Sequence, residues 1–176
     1  VGVYHTCSPE EVEWVVGNSE SKFVFVGTNP QGCDDPEKMP NTRMDKIMTN
    51  LPLIQNAIVL DDSGTMESDR AMTWADFLAA GVDVETSVIK ERMNGVQPHD
   101  TCALIYTSGT TGNPKGVELT YDNFTFELDC IEKFIRFSPG DGYVSWLPLA
   151  HVFGQVADNH LWVRDAMHLH VVDNAL

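Results

Sequence analysis

The sequence predicts an α/β fold in which mainly parallel sheets are flanked by helices. Short, continuously apolar segments such as residues 56–60 and 101–106 read as strands covered on both faces. Segments of helical periodicity separate them, and Gly, Pro and Asn punctuate the junctions. No internal repeat or low-complexity stretch interrupts this pattern.

Each element has a local reason. Ser8 caps a first helix, Pro9 suits its first position, and Glu11 completes a capping box. Val12, Val15 and Val16 then share one face, and Gly17-Asn18 stops the helix. Residues 23–26 read as a short buried strand, and the Pro-, Gly- and Asp-rich residues 27–40 as a surface loop. A short helix is predicted over 42–50 and a buried strand over 56–60, followed by an exposed polar stretch, 61–70. Thr73-Trp74-Ala75-Asp76 starts another helix that Gly81 ends, and 84–94 form a further one before Gly95. After the strand at 101–106 come a short extended piece, 117–119, and a helix over 122–137. A turn at 138–142, a strand over 143–147 ended by Pro148, a helix from Val152 and a last strand over 167–172 complete the reading.

The 11 Lys and Arg against 26 Asp and Glu give a net charge of −15. A phosphate backbone wants cations, so a general nucleic-acid binder is disfavoured. The longest apolar run, residues 102–106, falls far short of the roughly 20 residues of a membrane-spanning helix. Cys7, Cys33, Cys102 and Cys130 include no CxxC pair, so neither a zinc knuckle nor a redox dithiol is suggested, and a reducing compartment is expected. His168 and His170 share one face of a strand, but no third ligand stands at metal-binding spacing. No Ser-His-Asp or Cys-His hydrolase arrangement is present.

One segment stands apart. Thr107-Ser108-Gly109-Thr110-Thr111-Gly112-Asn113-Pro114-Lys115-Gly116 directly follows a buried strand. Glycines let the backbone approach an anion, hydroxyls donate to phosphate oxygens, and Lys115 adds charge where no acid is adjacent. By composition alone the same residues also make an ordinary Ser/Thr/Gly loop. The Walker A spacing and the GxGxxG fingerprint are both absent.

The string YTSGTTGNPKG at residues 106–116 resembles the phosphate-binding signature of the adenylate-forming (AMP-binding) enzyme superfamily. A second match lies downstream in SWLPLAHVFGQ, residues 145–155, which looks like the family's PLxH segment. VYHTCSPEEVEWVV, TWADFLAAG and HDTCA are similar to long-chain and bubblegum-type fatty acid–CoA ligases. The resemblance implies a two-step reaction, in which an acid and ATP give acyl-AMP and pyrophosphate and CoA then takes the acyl group. It implies ATP with Mg2+ as cofactors, CoA as co-substrate and a fatty acid as substrate. Thr107, Ser108, Gly109, Thr110, Thr111, Gly112 and Lys115 would hold the ATP phosphates, with Thr107 nearest the metal. His151 would border the carboxylate site, and Phe153 and Gly154 the mouth of the acyl tunnel. The family places such enzymes in the cytoplasm or at the periphery of intracellular membranes.

Two positions depart from the pattern: Tyr121 stands where many members have His, and Glu118 puts an acid just past the loop. The family's later elements, an aromatic-Gly-x-Thr-Glu segment, a ribose-binding Asp, a hinge and a lid with its Lys, do not occur in these residues. Residues 1–176 are therefore expected to be a partial AMP-binding domain, with little ligase activity in isolation. Two alternatives remain: an inactive nucleotide-binding or interaction module, and a superfamily ligase for an aryl or short-chain acid.

Overall fold

The computed structural model describes residues 1–4, 6–27, 39–60, 66–107, 112–147 and 150–172. These form two compact bodies, one of residues 6–95 with 112–114, the other of residues 1–4, 96–107 and 115–172.

The first body opens with α1 (Pro9–Asn18). Its predicted capping box is present: the Glu11 amide donates to Ser8 Oγ at 3.3 Å, and the Ser8 amide donates to Glu11 Oε2 at 2.8 Å. The apolar face of α1 delivers Val15 and Val16 into the interior. Then come β1 (Phe23–Val26), α2 (Pro40–Ile47) with a 3₁₀ turn over Met48–Asn50, and β2 (Asn56–Val59). β3 (Ala71–Thr73), α3 (Trp74–Ala80) and α4 (Thr86–Gly95) follow. The three strands make a parallel sheet with β2 in the centre, pairing Val26 with Val59 and Ala57 with Ala71. Ala57 and Ile58 of that central strand are fully buried, and Val16, Met44, Ile47, Met48 and Leu51 pack into the same core region.

Two readings of this body need correction. The strand at 23–26 is not buried on both faces: Val26 is inside, but Phe23 and Phe25 remain about half exposed. β1 is an edge strand whose side chains alternate, so the two Phe share the face away from the core. Phe25 finds partial cover there against Phe77 and Trp74 of α3, at centroid distances of 5.4 and 6.4 Å. The stretch at 61–70 is not uniformly exposed either, because Met66 packs on the core and Arg70 is half-buried. The Arg70 guanidinium donates to the carbonyls of Leu51 and Ile54, both at 2.8 Å, and to that of Met48. A cation therefore gathers the carbonyls where the α2 segment ends, two of which, Met48 and Leu51, also accept a backbone N–H.

The second body contains β4 (Thr101–Thr107), β5 (Lys115–Thr120), α5 (Tyr121–Phe134) and β6 (Gly142–Ser145). One continuous helical segment follows: α6 (Val152–Gly154), a π-helical stretch over Gln155–Leu161, and α7 (Trp162–Arg164). β7 (His168–Val171) then pairs parallel with β6, matching Tyr143 to Leu169 and Ser145 to Val171. Leu128, Leu161 and Met167 are the buried centre, joined by Ile131, Phe137, Tyr143 and Val156.

β4 and β5 depart from the parallel rule. The extended piece read at 117–119 is a six-residue strand, antiparallel to β4. A parallel return needs a crossover of about a dozen residues or more, and residues 108–114 are too few, so the chain turns straight back. α5 begins at a Thr120 cap completed by Asn123 and stops at Phe134, short of the predicted end. Ile135 is extended (φ −129°, ψ 122°), which lets Phe137 fold back onto the Leu128 cluster.

The buried sheet and the Arg70 cap make separate stability predictions. Ile58→Ala, at a site with no exposure, is expected to cost about 2–5 kcal/mol in urea unfolding. Arg70→Met keeps much of the stem but removes three charge-assisted bonds, although the Met48 and Leu51 carbonyls still accept a backbone N–H, and should cost about 1–3 kcal/mol in the same measurement.

Candidate functional site

The site is built on the β4–β5 pair. Its register matches Ile105 with Val117, Tyr106 with Gly116, and Thr107 with Lys115. The two ends of the Gly-rich segment are thus held side by side, and the Thr107 and Lys115 side chains are both exposed. Ser108, Gly109, Thr110 and Thr111 lie outside the described residues. Gly112 is described, with φ +90°, a backbone conformation that a side chain would strain. The segment's last turn is tied down in the first body, where the Trp14 indole N–H donates to the Pro114 carbonyl at 2.9 Å. The sequence reading missed Trp14; its only signal was a Trp set on the helix α1 amid charged residues.

Among the described residues no carboxylate lies within ion-pair distance of Lys115. Glu118 is three positions along β5, hence on the opposite face, and its Oε2 accepts from Thr101 Oγ1 at 3.2 Å. The extra acid therefore does not face the Lys115 side of the strand. Tyr121 is the first residue of α5, directly after the Thr120 cap, and about half exposed.

His151 caps α6. Its Nδ1 accepts the Phe153 amide N–H at 3.1 Å. That bond leaves the proton of the neutral imidazole on Nε2, so the ring offers one outward donor, suited to a carboxylate or acyl oxygen. Phe153 is exposed and Gly154 buried. Phe153 forms a wall of a cavity of about 800 Å³, together with Val152 and Val156 of the same helical segment and Phe124, Phe126 and Ile131 of α5. Its lining is mostly apolar, with Glu118, Asp122 and Glu127 among the polar residues. β5 connects the two features, since Lys115 starts the strand and Glu118 and Leu119 reach the cavity. At about 3.4 Å per residue that separates them by about 10 Å. Among the described residues no group of three or more His, Cys, Asp or Glu side chains is placed to hold a metal ion.

The AMP-binding enzyme family model matches residues 1–176, the whole chain. The chain belongs to the AMP-binding enzyme family. Its sequence is 30% identical over 167 residues to the long-chain-fatty-acid–CoA ligase ACSBG2 of Xenopus laevis, covering 93% of this chain and 21% of that protein. Long-chain-fatty-acid–CoA ligase ACSBG1 of Bos taurus is 31% identical over 165 residues, covering 92% and 21%. This AMP-binding chain thus spans about a fifth of the length of the curated relatives it matches. Among solved structures, the anthranilate CoA ligase AuaEII in complex with anthranoyl-AMP superposes with a TM-score of 0.70 at 17% identity. That match covers 97% of this chain and 29% of the other and establishes the shared fold of the AMP-binding family. No helix among the described residues is long and apolar enough to cross a membrane.

A titratable group packs against the cavity-lining Phe124. His160 packs its ring on Phe124 at 4.6 Å, and burial lowers its pKa. The folded protein therefore resists protonating this ring, while the unfolded chain takes the proton near pH 6.5. Stability from this residue is present above that value and is lost as the pH falls below it. The drop in melting temperature between pH 7.5 and pH 5.5 is expected to be smaller for His160→Gln than for the unsubstituted protein.

Proposed function

We propose that this chain is the phosphate- and acyl-binding portion of an ATP-dependent long-chain fatty acid–CoA ligase, part of its large adenylation domain. The observation that carries the reading is the β4–β5 register, which sets Thr107 beside Lys115 on a strand that also reaches an apolar cavity. The similarity to ACSBG1 and ACSBG2 supports the long-chain acid as substrate.

In the first step a fatty carboxylate oxygen attacks the α-phosphorus of ATP, the bond to the β-phosphate oxygen breaks, and pyrophosphate leaves. In the second, the CoA thiol attacks the acyl carbon, releases AMP and yields the thioester. An anion must approach a polyanion, so neutralising charge is the main burden of the first step. Lys115 supplies a cation at the start of β5, and Thr107, Ser108, Gly109, Thr110, Thr111 and Gly112 supply hydroxyl and backbone donors. Mg2+ would arrive with the nucleotide and lower the charge of the departing phosphates. The exposed Thr107 hydroxyl fits a single protein contact to such an ion, which commonly keeps phosphates and waters as its other ligands. His151 Nε2–H steadies the carboxylate, and Phe153 and Gly154 border the acyl chain. The protein acts in the cytoplasm, including the periphery of intracellular membranes.

Lys115→Ala in the whole protein is expected to reduce fatty-acid-dependent ATP–pyrophosphate exchange by roughly 10²–10³-fold, the usual loss for one charge-stabilising donor. An unchanged exchange rate would remove Lys115 from the phosphate site, and strong exchange by residues 1–176 alone would contradict their role as one part of the catalytic domain.

A further inference from the structure

Among the described residues of the second body, the most buried ionisable acid takes no part in the chemistry just described. Asp158 is 2% exposed and lies within the π-helical stretch. Its Oδ1 accepts the Tyr143 hydroxyl at 2.7 Å and its Oδ2 the Ser145 hydroxyl at 2.6 Å. Tyr143 and Ser145 are two apart on β6 and so share the face turned to the helix. Each carboxylate oxygen holds one hydroxyl, which fixes the group in rotation as well as position. Burial and the Asp158 bond push the Tyr143 phenol up to about 12, so it stays a donor at neutral pH.

A buried carboxylate is costly, and a one-residue widening of a helix marks a local departure from the most stable backbone. The two occur together at the point that ties the helical segment to β6. His151 lies between the tied limbs, six residues after Ser145 and seven before Asp158. Its preceding neighbour is closely approached by the chain's start: a Cβ on Gly2 would fall 2.6 Å from the Ala150 Cα, so only glycine fits there without a shift.

We propose that Asp158 is a positioning residue for His151, holding the imidazole donor against the acid through the Tyr143–Asp158–Ser145 clamp. The inference rests on the ligase reading above and adds a residue to it. The clamp acts on the acid side of the reaction and leaves the ATP phosphates alone, since Thr107 and Lys115 are held by the separate β4–β5 pair.

The test measures acyl-adenylate formation by the whole protein and its Asp158→Asn, Ser145→Ala and Tyr143→Phe forms. A misplacement of about 1 Å can cost roughly 10²-fold, so Asp158→Asn is expected to raise KM for the fatty acid and lower kcat by a combined factor of about 10–100, with KM for ATP unchanged. Tyr143→Phe keeps the ring and removes one hydroxyl, so it should fold and move the same two parameters by less. Combined with Asp158→Asn it should add little, as members of one unit do. Ile58→Ala, in the other body, serves as the control that loses stability without moving the ratio of the two KM values. Equal losses toward ATP and acid, or unchanged kinetics in a folded Tyr143→Phe together with Asp158→Asn, would overturn the positioning role. An unsubstituted protein that adenylates no fatty acid would instead overturn the ligase reading, and this inference with it.

Discussion

The antiparallel register of β4 against β5 is the constraint from which the candidate site follows. Once Thr107 is paired with Lys115, the residues between them must form a closed loop whose ends are about 5 Å apart. The same pairing decides the faces. Lys115, Val117 and Leu119 lie on one side of β5, while Gly116 and Glu118 lie on the other. A slip of one residue would bring Glu118 to the face that Lys115 now occupies.

That exchange matters because of the chain's overall charge. With a net charge of −15, the average surface position repels a nucleotide rather than attracting it. Attraction must be local, and the described ion pairs leave Lys115 uncommitted while gathering Asp129, Glu132 and Asp165 around Arg164 at the far end of the body's sequence. Arg70 is engaged by three backbone carbonyls, and Arg43 donates to the carbonyl of Cys7 at 2.9 Å. The acids thus deny nonspecific polyanions a surface, and the exposed Lys115 at the start of β5 is the local cation on which the proposed nucleotide site relies.

Much of the fold was legible because short-range rules set it. The Ser8/Glu11 box, the Thr73 cap with its bond from the Asp76 amide, and the stop at Gly81 follow from residues a few positions apart. The family string likewise picks out Thr107, Lys115 and His151 as candidates by local pattern alone. What escaped the sequence depends on distant partners. Phe23 and Phe25 look buried by composition, and only the position of β1 at a sheet edge leaves them open. Arg70 looks like one more polar loop residue until the end of α2 is placed beside it. Asp158 is a lone acid between Ala157 and Asn159, and no spacing announces that β6 brings two hydroxyls to it.

Departures from local rules are not spread evenly. The first body is conventional: a parallel sheet, capped helices and an aliphatic core of Ile, Val, Leu and Met. The second-body segment that bears the proposed acid site collects the exceptions, a π-helical stretch, a buried carboxylate without a cation and a histidine as helix cap. Each costs stability taken alone, and proteins keep such features where geometry matters more than stability. The histidine cap shows how. Capping alone would be served as well by Ser or Asp. A serine cap would keep its hydroxyl proton too, but close to the helix end, whereas His151 spends Nδ1 on the Phe153 amide and still has an N–H on the opposite side of its ring. The carboxylate clamp then fits the proposed role of His151 as support for a donor whose direction matters as well as its presence.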